Sequence, residues 1–230
     1  MIKNKAWDSA FFNLNVGEIY IQKADEFSHI NLDDLKKYDV VYVFTDEEMT
    51  GNINVVLVDT KVTWKKGISN TNYKLANNIK SLNDGTDYSY DELLNLAYIS
   101  GTYSRFKSDS HFNNGEFNKL YKMWLDSSLN KSIAFDTLVD IRDNNLAGFI
   151  TIGFANQECS QIGLVAVAPN YQGMGIASSL ISAAEFQSYE KGCKYLMVAT
   201  QSENIAAMQL YKKAGFNIFS KKFIYHIWNK

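Results

Sequence analysis

Hydrophobic residues in this chain recur with two spacings, and the shorter one dominates the beginning. Val40-Val41-Tyr42-Val43-Phe44 and Asn54-Val55-Val56-Leu57-Val58 are apolar runs of strand length, and Leu32 to Lys37 has helical spacing. Together they predict a small α/β unit over residues 1–88. Turn-forming residues then gather in Ser81-Leu82-Asn83-Asp84-Gly85-Thr86-Asp87, where a boundary is expected, with a second domain over residues 89–230.

In that second stretch Asp91 to Ser100 and Phe117 to Leu125 read as helices. Phe117, Leu120, Tyr121 and Trp124 fall at three- and four-residue intervals, a core stripe rather than a cofactor box. Thr137 to Ile141 and Gly148 to Ile152 read as strands joined by the polar connection Arg142-Asp143-Asn144-Asn145. Ile162 to Ala168 is almost wholly apolar, which predicts a strand covered on both faces, ended by Pro169, the one proline of the chain. A glycine-containing turn leads into a helix carrying Ile176, Leu180, Ala183, Ala184 and Gln187. Tyr195 to Thr200 gives another strand, and Asn204 to Lys213 another helix, closed by Ala214-Gly215 as a C-cap. Phe216 to Ser220 and Phe223 to Trp228 read as two last strands, the latter an exposed edge through which two copies could pair as a homodimer.

Composition narrows the classes. With 46% hydrophobic and 21% charged residues in 230, the chain holds enough apolar material for a packed core. Its net charge of -2 offers no general field for nucleic acid or an anionic membrane, so an anionic ligand must be held by local groups. No apolar run reaches the length of a membrane helix and none at the start resembles a signal peptide, so a cytoplasmic protein is expected. Cys159 and Cys193 lack metal-ligand spacing and His29, His111 and His226 are scattered, so no metal site is expected. A Cys-His nucleophilic pair assembled in space remains open beside the reading of both thiols as small buried side chains.

The distinctive chemistry lies in Gln172-Gly173-Met174-Gly175-Ile176-Ala177, between a strand and a helix. The first amides of a helix have no intrahelical acceptor and favour negative charge, and glycines let the main chain approach a phosphate closely. An ordinary glycine turn is the plain alternative. A dinucleotide fingerprint fails because its third glycine is Ser178 and the next strand ends in Ala199-Thr200-Gln201 without a carboxylate. A P-loop fails for want of Gly-Lys-Ser/Thr.

Two blocks, Val167-Ala168-Pro169-Asn170-Tyr171-Gln172-Gly173-Met174-Gly175-Ile176-Ala177 and the stretch from Asn204 through Leu210-Tyr211 to Gly215-Phe216, resemble the GNAT superfamily of acyl-CoA-dependent N-acetyltransferases. Gln172, Gly175 and Ala177 match its Gln/Arg-x-x-Gly-x-Gly/Ala motif. Trp7-Asp8-Ser9-Ala10-Phe11-Phe12, Tyr103-Ser104-Arg105-Phe106, the Phe117 to Trp124 helix and Val198-Ala199-Thr200-Gln201 are further similar to the dTDP-fucosamine acetyltransferases, which acetylate a nucleotide-linked amino sugar. Residues 20–88 carry little of this likeness.

The resemblance implies a GNAT fold: a mixed, mostly antiparallel twisted sheet with a splayed strand pair and flanking helices, beside the smaller N-terminal α/β unit. It implies acetyl-CoA as co-substrate, its pantetheine pairing with backbone groups of Leu164, Val165, Ala166 and Val167. Its pyrophosphate would rest on Gln172, Gly173, Met174, Gly175, Ile176 and Ala177, with Asn204 also contributing. Tyr211 would protonate the departing thiolate, unless it is simply a core tyrosine beside Leu210 and Phe216. Asn204 and Tyr211, seven residues apart, are expected on one helix face. The acceptor would be a small-molecule amine, a TDP- or UDP-linked amino sugar, with protein amines, aminoglycosides or plain acyl-CoA binding as alternatives. Arg105 could grip a diphosphate, with Tyr103 or Phe106 supporting a ring face, or could be an ordinary surface arginine. The base that takes the amine proton is unassigned; Glu158 is a candidate by position, or else an exposed hairpin glutamate.

Overall fold

The computed structural model describes residues 1–50, 55–69 and 76–229. In chain order the elements are β1 (Lys3–Asn4), α1 (Ala6–Phe12), β2 (Val16–Ile21), α2 (Leu32–Leu35), β3 (Val40–Thr45), β4 (Val56–Gly67) and β5 (Ile79–Ser81). They continue with α3 (Tyr90–Ser100), α4 (Arg105–Ser108), α5 (Glu116–Leu129), β6 (Asp136–Arg142), β7 (Asn145–Asn156) and β8 (Cys159–Val167). The chain closes with α6 (Ile176–Glu190), β9 (Tyr195–Gln201), α7 (Ile205–Lys213) and β10 (Asn217–Trp228).

Two compact units result, Met1–Val62 with Gln201–Glu203 and Ser220–Lys230, and Thr63–Thr200 with Asn204–Phe219. They do not follow the expected division at residue 88. The turn there is real, with Ser81 capping a 3-10 turn and Gly85 at φ 74°, but it lies inside the second unit, between β5 and α3.

In the first unit β1 pairs antiparallel with β2, β2 runs parallel to β3, and β3 pairs antiparallel with the second half of β10. One face buries Ile19, Ile21, Leu35, Val41, Val43, Phe223 and Tyr225. Phe223–Trp228 is matched residue for residue with Val40–Thr45, and Phe223, Ile224, Tyr225 and His226 are buried. This corrects the expected open edge, and with it the stated basis for a homodimer. The two strands expected at the C-terminus are one, since Lys221 and Lys222 are polar positions in a continuous strand rather than a turn. β4 is likewise longer than its apolar run: Asn54 lies outside the described residues, and the strand continues through alternating buried and exposed positions to Gly67.

In the second unit β5, β6, β7 and β8 form successive antiparallel pairs, and β9 joins β8 in parallel. The β6–β7 turn has Asp143 and Asn144 at φ 50° and 63°, the two positive angles of a tight hairpin turn. Helices α3 and α5 cover one face, Leu93, Leu96, Ala97, Tyr121 and Leu125 packing on Val139, Phe149, Leu164 and Ala166. The aromatic stripe of α5 is thus core, as its spacing predicts. The other face carries α6: a Cβ built on Gly148 would stand 3.1 and 3.2 Å from Ile176 and Leu180.

Candidate active site

The site begins with one irregularity in β8. Ile150 faces Val165 and Ile152 faces Ile162, so Thr151 stands opposite two residues, Gly163 and Leu164. This is a β-bulge, which bends the strand that carries the extra residue. The hydroxyl of Thr151 accepts a hydrogen bond from the Leu164 amide at 2.8 Å, so the bulged amide is satisfied by a side chain. The ladder to β9 runs from Cys159↔Tyr195 to Ile162↔Val198 and stops where the bulge starts, although both strands continue. β8 and β9 therefore splay at their C-terminal ends.

Beyond the bulge, Leu164 and Ala166 point into the core under α3 and α5, while Val165 and Val167 are half-buried and Gly163 is exposed. The expectation of a strand covered on both faces is corrected: its apolar second face opens where the strands part. The backbone of Leu164–Val167 bonds to β7 on one side and faces the splay on the other. That combination suits an extended chain carrying amides and methylenes.

Next in sequence, Pro169–Tyr171 forms a 3-10 turn, and the chain passes through Gly173 at φ 78° and Gly175 at φ 77° into α6. Gly175 is the N-cap without a side chain to satisfy the first-turn amides, so Gly175, Ile176, Ala177 and Ser178 have amides with no intrahelical acceptor. Gln172, Gly173, Met174 and Gly175 are exposed, Ala177 is half-buried, and Ile176 alone is buried. The turn thus presents main-chain donors at the positive end of a 15-residue helix, a geometry that fits a diphosphate.

Helix α7 supplies the tyrosine. Tyr211 is 2% exposed, its ring 6.0 Å from Phe216 and 6.3 Å from Trp64. Burial alone pushes its phenol well above the usual tyrosine range, so it is fully protonated at neutral pH. Its position is fixed by the helix end: the Phe216 amide donates to the Tyr211 carbonyl and the Gly215 amide to that of Lys212, with Gly215 at φ 85°. Asn204 is the N-cap of α7, its side chain accepting from the Ala207 amide at 3.2 Å, so it lies outside the helix rather than on a shared face two turns from Tyr211.

The remaining candidates lie elsewhere. Glu158 precedes β8, about 20 Å of extended strand from Leu164. It pairs with Lys194 at 2.5 Å, which holds its carboxyl below the usual range, and both side chains are exposed. It is an exposed glutamate of the β7–β8 hairpin. Arg105 lies over the ring of Phe106, 4.5 Å from its centroid, and Phe106 is buried against Phe112, so Phe106 cannot support a ligand ring. Tyr103 is 45% exposed. Cys159 and Cys193 are buried thiols raised by burial, unsuited to nucleophilic work. Among the described residues no three of His, Cys, Asp and Glu could hold a metal ion, and no helix is long and apolar enough to cross a membrane.

Sequence reasoning missed Thr151, Trp64 and Lys66. Thr151 carries a signal, a hydroxyl within the apolar run Phe149-Ile150-Thr151-Ile152. Lys66, on the same face of β4 as Trp64, donates to Glu185 of α6 at 2.6 Å and to the Ala214 carbonyl at the end of α7 at 2.8 Å, tying together the two helices that flank the splay. No local pattern places β4 beside them.

Comparison with known proteins bears on this geometry. Residues 103–216 match the Acetyltransferase (GNAT) family. The chain is 28% identical over 138 residues to the spore coat polysaccharide biosynthesis protein SpsD of Bacillus subtilis, spanning 60% of this chain and 47% of SpsD. It is 36% identical over 66 residues to N-alpha-acetyltransferase 30 of Saccharomyces cerevisiae, spanning 29% of this chain and 38% of that protein. The chain thus spans less than half the length of these two relatives. A GCN5-related N-acetyltransferase from Sphaerobacter thermophilus shares the fold, with a TM-score of 0.55 at 14% identity over 90% of this chain and 64% of that one. The splayed strands, the glycine turn and the buried tyrosine all fall in the unit that carries the match, and residues 103–216 form a GNAT acetyltransferase domain.

Proposed function

We propose that the protein is an N-acetyltransferase moving the acetyl group of acetyl-CoA to the primary amine of a nucleotide-linked deoxyamino sugar. The observation that carries this is the bulge-driven parting of β8 from β9 beside an uncapped helix N-terminus. The open backbone of Leu164–Val167 would hold pantetheine, and the amides of Gly173–Ala177 the pyrophosphate. The amine, after losing its proton, attacks the thioester carbonyl; the C–N bond forms, the C–S bond breaks, and Tyr211 returns a proton to the sulfur. In water a phenol near 10 giving a proton to a thiolate near 8.5 is uphill by roughly 2 kcal/mol. Burial raises both acids, so a thiolate released in the same dry site is a stronger base than in water and the gap does not widen by the full shift of Tyr211. The nucleotide sugar is supported by the likeness to SpsD, whose name places it in polysaccharide biosynthesis, and by exposed Tyr103 beside Arg105.

A protein amine is the second reading, favoured by the likeness to N-alpha-acetyltransferase 30. Incubating the chain with labelled acetyl-CoA and TDP- and UDP-linked amino sugars, peptides and aminoglycosides separates the readings. Transfer to the nucleotide sugars is the expected result; transfer to peptides alone would replace it with the second reading.

A further inference from the structure

Within the second unit, Trp64 carries a buried donor that is unaccounted for. Trp64 of β4 is 4% exposed, and among the described residues its indole N–H has no hydrogen-bond acceptor. A buried polar group without a partner costs stability that an apolar ring of similar shape would not. Phenylalanine or leucine would fill a core position at lower cost, so packing alone does not account for an indole there.

The surroundings of Trp64 point to what completes it. Its ring packs on Tyr211 with centroids 6.3 Å apart and planes inclined by 57°. Two residues along the same face, Lys66 reaches Glu185 of α6 and the end of α7, so this face of β4 looks toward the helices flanking the splay. We infer that the indole N–H of Trp64 is a binding donor of the acyl-transfer site, and that its acceptor is the sulfur of coenzyme A, most strongly as the departing thiolate. This rests on the acetyltransferase reading. A neutral donor set in a dry site needs no reorganisation as charge develops on sulfur, and a hydrogen bond to an anion is stronger than one to a neutral group. Trp64 would hold the charge that Tyr211 then neutralises.

The test compares CoA with desulfo-CoA, which lacks the sulfur, by calorimetry at pH 7 and pH 9.5 for the wild type and Trp64→Phe. The thiol of CoA ionises between these values, near 8.5 as thiols do. The wild type should bind CoA about as tightly as Trp64→Phe at pH 7 and about tenfold more tightly at pH 9.5, with desulfo-CoA equal for both proteins at both pH values. An unchanged CoA ratio at both pH values overturns the inference; it is the result expected if the N–H merely rests on the ring of Tyr211. Failure of the wild type to bind either compound overturns the acetyltransferase reading as well. A second measurement needs no change at Trp64: the four indole N–H signals of 15N-labelled protein are assigned through Trp7→Phe, Trp124→Phe and Trp228→Phe. The Trp64 signal should move downfield with the ionisation of bound CoA and stay still with desulfo-CoA; a signal indifferent to both sinks the proposal.

Discussion

Thr151 and Leu164 are joined by a hydrogen bond from the Leu164 amide to the Thr151 hydroxyl, 2.8 Å long, at the one place where β7 and β8 fall out of register beside the splay. A side chain here does what a strand partner does elsewhere, so the amide that the bulge displaces from the β7 ladder keeps an acceptor where the pairing of β8 with β9 ends. The opening of the site is therefore a property of two residues as much as of the whole sheet.

Replacing Thr151 by Val keeps the shape and removes the acceptor. The stranded amide should cost about 1 to 3 kcal/mol, lowering the melting temperature by roughly 2 to 12 °C in a chain of this size. KM for acetyl-CoA should rise with it as the bulge relaxes, whereas Thr151→Ser should stay near the wild type in both. Thermal unfolding and steady-state kinetics check this, and a Val variant as stable and active as Ser would show the bond to be idle.

Gly175 begins α6 at φ 77° and an added Cβ would meet no atom within 4 Å, so Gly175→Ala suffers only the backbone penalty of a left-handed residue, roughly 1 to 2 kcal/mol. The methyl group would nevertheless stand among the amides proposed to hold the pyrophosphate. We expect a folded protein whose affinity for CoA falls by about tenfold or more. Unchanged affinity by calorimetry would move the phosphate site elsewhere.

Tyr211→Phe should reduce kcat by about 10² to 10⁴ with CoA affinity nearly unchanged. Because burial raises its phenol, Tyr211 supplies no basic limb to the pH profile of the wild type below pH about 10, and kcat/KM should climb as the acceptor amine deprotonates near 8 and then level off. The same shift has a stability sign. The folded-state pKa lies above the unfolded value of about 10, so the contribution is fully present below that value and is lost as pH rises past it, while the unfolded chain ionises. Chemical unfolding between pH 9 and 11 should show the wild type losing stability faster than Tyr211→Phe; parallel curves would mean the phenol is hydrated.

Local pattern carried much of this fold into view, and its failures have physical causes. The hairpin at Asp143-Asn144, the core stripe of α5 and the cap at Gly215 depend on neighbours in sequence, and each stands where spacing puts it. The apolar run of β8 hid its open face, because a strand emptied by a splay and a strand covered by a second layer have the same composition. The assignment of β10 to one sheet with β3, the pairing of Thr151 with Leu164, and the placing of Trp64 beside Tyr211 are long-range, and no window of sequence contains them.

Glu158 offers the converse prediction, an acidic residue close to the motif in sequence and remote from it in space. It stands at the beginning of β8, whereas the splay opens at the strand's far end, and its carboxyl is committed to Lys194 on the surface. An exposed ion pair of this kind contributes little to stability. A general base must come within hydrogen-bond reach of the proton it accepts, directly or through one water, and about 20 Å of strand forbids both. Glu158→Gln should therefore retain kcat and kcat/KM within about twofold across pH 6 to 9, with a melting temperature close to that of the wild type. A loss of a hundredfold confined to low pH would mean that the amine's proton does leave through this carboxylate, and that β8 must deliver the acceptor at its opposite end.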